Sequence, residues 1–386
     1  MRRRPVLALI GLIALSASAA CAPFPTEPGR SSSPAAAVAA LRLAGDGRVL
    51  FSAAGQDLWS SRPDGTDRRA VTVDGSLSRD YYVGGRWSPD GQAVAAERSM
   101  AHESGNALYV IELSSGTQRR LTRPDTFLDG YAWSPDGRLL TYAEVTTGGT
   151  LAAGGTLSGG VGDVHVYDRT AGTDRIVAPG NHPAFSPDGR LIGFAHAGGA
   201  IAAVSPTGDS LTFFANLSSL SRYSIFAAPK GMALLSGPQW SADGRYLAYS
   251  AIERGPIAEA LQIIYIQDAV PGAPPRQWAI GKTGAAHHVA ELRWSPVSAL
   301  LAYAFIYAQP HHHYLGTIDP SQPALHPLFD AREHFIDFAW SPDGAAILLQ
   351  VDESDQWVLV GTTGALLGRS APGGWRPDWC KCVATN

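Results

Sequence analysis

The sequence predicts an all-β fold, a seven-bladed β-propeller of four-stranded blades, and three observations point to it. A short phrase recurs: Trp87-Ser88-Pro89-Asp90-Gly91, then Trp133 to Gly137, Phe185 to Gly189, Trp240 to Gly244, Trp294 to Ser298 and Trp340 to Gly344. Successive starts lie 46, 52, 55, 54 and 46 residues apart, the length of one four-stranded sheet with its turns. The two chain ends also complement each other. Gly47 to Ser52, Asp57 to Ser61 and Arg68 to Thr72 supply three strands without a Trp phrase in front, and a degenerate copy, Gly373-Gly374-Trp375-Arg376-Pro377-Asp378, follows the last full one. The ring is therefore expected to close by pairing of the N- and C-terminal strands in one blade, which leaves few free sheet edges.

Taken in order, the chain opens with Arg2, Arg3 and Arg4, an apolar run from Val6 to Leu15 and the small residues Ser16 to Ala20. That is the pattern of a signal peptide, over residues 1–20, with an apolar run too short for a comfortable membrane span. Residues 21–40 read as a flexible Pro, Ser and Ala linker, 41–382 as the propeller and 383–386 as a tail. Within each blade, Pro presets φ for the turn, Asp bonds its own backbone, and Gly accepts the left-handed conformation. A short β-rich run follows each copy: Ala93 to Glu97, Leu139 to Val145, Leu191 to Ala195, Tyr246 to Ser250, Leu300 to Tyr307 and Ile347 to Val351. The Trp or Phe ends the innermost strand as an apolar wedge between adjacent sheets.

Composition agrees with an exported, turn-dense β protein. Hydrophobic residues make up 45% and charged residues 17%, with 42 Gly and 27 Pro. The formal charge is -4, and no basic stripe runs along the chain, which argues against nucleic acid as a partner. The chain has 3 cysteines. Cys380 and Cys382 form a disulfide if a local turn brings them together, remain two free thiols, or contribute to a metal site, for which two thiolates alone are too few.

The phrase, the Tyr-centred strand after it and the Leu-Thr strand of Arg119-Arg120-Leu121-Thr122 resemble the PD40 or WD40-like propeller repeat, across essentially the whole chain after the leader. That repeat occurs in the periplasmic protein TolB and in the propeller domains of prolyl oligopeptidase and dipeptidyl peptidase relatives. The resemblance implies a TolB-like propeller, although TolB has an extra α/β domain and six blades. The peptidases carry Gly-x-Ser-x-Gly, whereas Gly155-Thr156-Leu157-Ser158-Gly159 has its serine in the wrong position. Cys21 after Ala19-Ala20 resembles the lipobox of bacterial lipoproteins, with Ser18 where Leu or Val is usual. Either Cys21 is lipidated and anchors the chain to a membrane, or cleavage after Ala19 releases a soluble protein.

Two clusters stand out as candidate sites on the face that collects the long loops. His288, His311 and His313, with His287 and His312 beside them, lie in or near loops. Neighbouring histidines in a strand point to opposite faces, so no more than two of the triplet converge. Aligning the innermost strands on the Trp places His182, Glu291 and Asp337 three residues before it and Asp129 four before it, around the mouth of the central channel. No nucleophile, base and orienting residue fall into a recognisable arrangement. The leading expectation is a non-catalytic exported scaffold, with no cofactor, that binds a protein or cell-envelope ligand through its loop-rich face. The competing one is a metal-dependent enzyme at the channel mouth, similar at fold level to the oligogalacturonate lyases, with ligands drawn from those histidines and carboxylates and His334.

Overall fold

The computed structural model describes residues 47–380 except 54–55, 77–78, 104, 147–149, 152–156, 159–161, 197–199, 217–233, 255–259, 284–287, 309–310, 323, 332–334, 352–355 and 371–373. The expected leader, linker and tail lie outside the described residues, as do Cys21, His287, His334 and Cys382.

The described chain is all β. Strands β1 (Arg48–Ala53), β2 (Asp57–Ser61) and β3 (Arg69–Ala70) form one sheet with the last strand, β29 (Trp375–Cys380), in the order β29-β1-β2-β3. A second sheet holds β4 (Asp80–Trp87), β5 (Ala93–Met100), β6 (Asn106–Glu112) and β7 (Gln118–Arg120). Next come β8 (Thr126–Trp133), β9 (Leu139–Thr146) and a separate two-stranded ribbon of β10 (Thr150–Leu151) and β11 (Leu157–Ser158). They are followed by β12 (Asp163–Asp168), β13 (Thr173–Phe185), β14 (Ile192–His196), β15 (Ala200–Val204) and β16 (Thr212–Asn216). Three further four-stranded sheets complete the fold. The first contains β17 (Leu234–Trp240), β18 (Tyr246–Arg254), β19 (Ala260–Asp268) and β20 (Arg276–Thr283). The second contains β21 (His288–Trp294), β22 (Leu301–Ala308), β23 (His311–Ile318) and β24 (Leu325–Ala331). The third contains β25 (Phe335–Trp340), β26 (Ala346–Val351), β27 (Gln356–Gly361) and β28 (Leu366–Ser370).

The expectation of a closed ring of seven separate four-stranded blades is corrected here. The propeller has five four-stranded sheets and one seven-stranded sheet, ordered β16-β15-β14-β13-β12-β9-β8. The cause is β13. Pro179-Gly180 has the composition of a turn, yet one strand runs on from Thr173 to Phe185, pairing with β12 as far as Pro179 and with β14 from Gly180 onward. This large sheet curls around its own core of Val164, Val166, Phe185, Phe194 and Val204. The antiparallel pairing of β29 with β1 joins the two ends of the described chain within one sheet.

The repeated phrase forms the turns the sequence predicts. In each full copy the serine hydroxyl donates to the aspartate, as from Ser88 to Asp90 (2.5 Å), Ser186 to Asp188 (2.6 Å) and Ser341 to Asp343 (2.5 Å). The same hydroxyl accepts the N–H that opens the next strand, from Ala93, Leu191 and Ala346. The glycine has a φ of 69° at Gly91, 72° at Gly137 and 69° at Gly344, a region other residues seldom enter. Ala242 in place of Pro leaves this pattern intact, because Ser241 still bonds Asp243 and Tyr246.

The core sits between sheets. Trp87, Trp133, Phe185, Trp294 and Trp340 are all buried at the ends of their strands. Three indoles also stitch neighbours together, each donating to the carbonyl just before the previous wedge: Trp133 to Arg86, Trp294 to Gln239 and Trp340 to Arg293. In the last strand the wedge is Trp379, packed with Phe51 and Trp357. The degenerate copy was therefore read four residues early, since Trp375 is 45% exposed.

Candidate functional site

Every strand that ends in a wedge shifts register a few residues before it. The shifts fall at Tyr82/Gly84 in β4, Leu128/Tyr131 in β8, Asn181/Ala184 in β13 and Ser236/Gln239 in β17. They recur at Val289/Glu291 in β21, at Phe335/Phe338 in β25 and in the pairing of β29 with β1. A bulge bends the strand and re-aims its side chains, and such bulges gather at the rims of sites. Three residues before the wedge, in chain order, stand Gly84, Gly130, His182, Gly237, Glu291, Asp337 and Arg376. Three glycines and four polar residues thus share this position around the channel mouth.

The structure gathers the four channel-mouth candidates into two groups. His182 Nδ1 lies 3.2 Å from Asp129 Oδ1, and both side chains are largely buried. Glu291 and Asp337 meet through Arg293, which sequence reasoning missed: its guanidinium lies 3.2 Å from Glu291 and 2.9 Å from Asp337. Burial works against the charge on Arg293, but Asp337, Glu291 and Asp378 outweigh it and raise its pKa further. The signal lay one residue before the wedge, where Arg86, Arg293 and Asp378 occupy corresponding positions in β4, β21 and β29.

A second arginine completes the mouth. Arg376 Nη1 donates to Glu97 (2.6 Å), which enters from β5 opposite Gly84, and Arg376 N–H donates to Gln350. Glu97 raises the pKa of Arg376 more than any other neighbour. Deeper in, Asp378 accepts the Trp87 N–H (2.8 Å). Burial pushes its carboxyl up, against the opposing pull of Arg86. Arg86 lies over the ring of Tyr131, whose phenol is likewise raised by burial, then by Glu97. The mouth is therefore a network of arginine–carboxylate contacts rather than a ring of bare carboxylates.

The histidine cluster is built differently. The sequence places the triplet at a loop, but His311 to His313 open strand β23, and His313 is buried at 2% exposure. His288 opens β21; nothing is described for the side chains of His288 and His311. Among the described residues, no three of His, Cys, Asp and Glu are grouped so as to hold a metal ion. Cys380 is disulfide-bonded.

Two further polar assemblies were not foreseen. Buried Glu144 accepts from Arg123 and Thr126, while His165 stacks on Tyr142 and lies 2.9 Å from Asp174. On the turn-bearing face, a cleft of about 710 Å³ opens between the second sheet and the seven-stranded sheet, lined in part by Arg119, Arg138 and Tyr167. Arg169 spans it, bonding Glu112 and Asp90 (both 2.8 Å). These residues tie adjacent sheets together at the surface.

No family model matches the chain, and no curated protein matches it. Solved structures do. An oligogalacturonate lyase in complex with manganese aligns with a TM-score of 0.54 and 14% identity, covering 79% of this chain and 82% of that one. A functionally unknown protein from Desulfotomaculum acetoxidans DSM 771 aligns at 0.52 and 10% identity, covering 88% of this chain and 100% of that one. TolB from Acinetobacter baumannii aligns at 0.45 and 15% identity, over 86% of this chain and 82% of that one. At these identities the likeness is one of fold, and the class it defines is the β-propeller.

Proposed function

We propose that this chain is an exported propeller, anchored through a lipid on Cys21, that binds a protein or cell-envelope ligand at its loop-rich face and catalyses no reaction. The observation that carries the binding half is Arg293. It lies between Glu291 and Asp337, so the carboxylates that a metal centre would need are already engaged by a guanidinium of the fold itself. A residue set of this kind presents hydrogen-bonding groups already held in place by their neighbours, which suits recognition. The apolar leader and the Cys after Ala19-Ala20 support the anchoring half.

Expression of wild type beside Cys21→Ser, followed by cell fractionation, tests the anchor. The proposal expects wild type to sediment with membranes and leave them only with detergent, and the variant to be released. Equal release of both would remove the lipid anchor.

A further inference from the structure

We infer that the channel mouth binds a neutral sugar ring of an envelope glycan, stacked on Trp375 and hydrogen-bonded by Arg376 and Glu97. The inference rests on the binding reading above and names its ligand class.

Two of the five described non-glycine residues with a left-handed backbone lie at the mouth. His182 and Arg376 occupy equivalent bulge positions in β13 and β29, with φ of 52° and 51°, a conformation that non-glycine residues seldom adopt. Gly130, at the same position in β8, has a φ of 88° and meets the backbone requirement with no side chain. The imidazole and the guanidinium are therefore additions to the bulge, not conditions of it. Each is seated against a glycine of a neighbouring wedge strand. A Cβ on Gly237 would stand 2.1 Å from His182 Cβ, and one on Gly84 would stand 2.9 Å from Arg376 Cδ.

Hydrogen-bonding capacity is left over at the same place. The Arg376 side chain is 46% exposed, and of its guanidinium N–H groups only those on Nη1 are engaged among the described bonds. Directly before it, at the mouth end of β29, Trp375 is the one exposed tryptophan among the described residues. An indole left in water at such a site offers a flat apolar face next to polar groups.

The charge pattern selects the ligand. Glu291 and Asp337 share Arg293, and Glu97 holds Arg376. An incoming ion of either sign would have to compete with one of these pairs. A sugar hydroxyl both donates and accepts, so a rim of hydroxyls satisfies carboxylate and guanidinium together with every pair intact, while the C–H face of the ring covers Trp375.

Calorimetric titration of the purified protein with neutral tetrasaccharides (β-1,4-linked N-acetylglucosamine and β-1,4- and α-1,4-linked glucose), and with trigalacturonate as the acidic counterpart, tests the inference. Saturable binding of at least one neutral sugar is expected, weakened about tenfold or more in Trp375→Ala. Arg376→Gly fits the left-handed backbone and should lose binding just as far, with a lowered melting temperature because Glu97 loses its guanidinium partner. The inference is overturned if no neutral sugar binds at about 5 mM, a Kd weaker than a useful site would have. It is equally overturned if only trigalacturonate binds, or if Trp375→Ala binds as wild type does. A protein that fractionates with membranes but binds no sugar would keep the scaffold reading and lose this one; a released protein that binds the sugar would do the reverse.

Discussion

The two ends of the wedge strands make an instructive contrast. At the turn end, five copies of one phrase repeat the same bonds almost to the atom: Ser to Asp, Asp to the backbone two residues on, Ser to the strand that follows. At the mouth end, a few residues upstream in the same strands, the backbone bulge recurs but the side chains differ from strand to strand. Repetition at one end reflects a local requirement that every sheet shares. Variation at the other, on a backbone held in the same shape, marks the positions that are free to carry a task.

The largest effect expected from this contrast is at the mouth. Arg293→Leu leaves Glu291 and Asp337 without their shared partner and should lower unfolding stability by about 3 kcal/mol in chemical denaturation. A loss under about 0.5 kcal/mol would mean that the pairs are no more than surface decoration. Gly237→Ala comes next, at about 2 kcal/mol, because its new methyl meets His182. Combined with His182→Gly it should cost clearly less than the sum of the two single changes.

The turn end gives smaller, graded effects. Ser341→Ala removes a buried hydroxyl that donates to Asp343 and accepts from Ala346, at a cost of about 1 kcal/mol. Ser295→Ala, in the copy that lost its Asp-Gly, removes only a weak 3.4 Å contact from the Val297 N–H and should cost about half as much or less. Equal costs would show that the phrase is not acting as a unit.

Acid titration reads the turns collectively. The Ser134 hydroxyl and then the Arg138 N–H hold Asp136 below its ordinary value, and Ser186 and the Arg190 N–H do the same for Asp188. For Asp90 and Asp243 burial pulls the other way and is outweighed by the same kind of bonds. A carboxyl depressed in the folded state contributes stability above its unfolded pKa of about 4 and loses it as pH falls through the folded value. Denaturation midpoints should thus be flat from neutrality to about pH 5 and decline below about pH 4, less steeply in Asp136→Asn. The smallest change is Trp375→Ala, whose exposed ring should alter stability by less than about 0.5 kcal/mol whatever it does to binding.

The turns, the strands after them and the pairing of the two chain ends were legible in the sequence because each rests on local chemistry repeated many times. The seven-stranded sheet was not. Pro179-Gly180 has the composition of a turn, and only the partners on both sides carry β13 on through it. At the mouth, the alignment on the wedge found His182, Glu291, Asp337 and Asp129. It missed Arg376 because the terminal copy was aligned on Trp375 instead of the buried Trp379. It missed Arg293 because the pairing of an arginine with carboxylates from its own strand and from the neighbouring wedge strand depends on how the sheets are set around the axis, which no single strand reveals. The cleft spanned by Arg169 joins residues 79 positions apart, beyond any local pattern.

Whether the mouth carboxylates belong to arginine or to a metal decides between a scaffold and a metal centre. The direct measurement is elemental analysis of the purified protein after dialysis without chelator, followed by titration with Mn2+. We expect well under one equivalent of metal and no saturable Mn2+ binding at micromolar concentration. One equivalent of a transition metal, lost on His182→Ala or Asp337→Asn, would contradict the scaffold and make the channel mouth a metal centre.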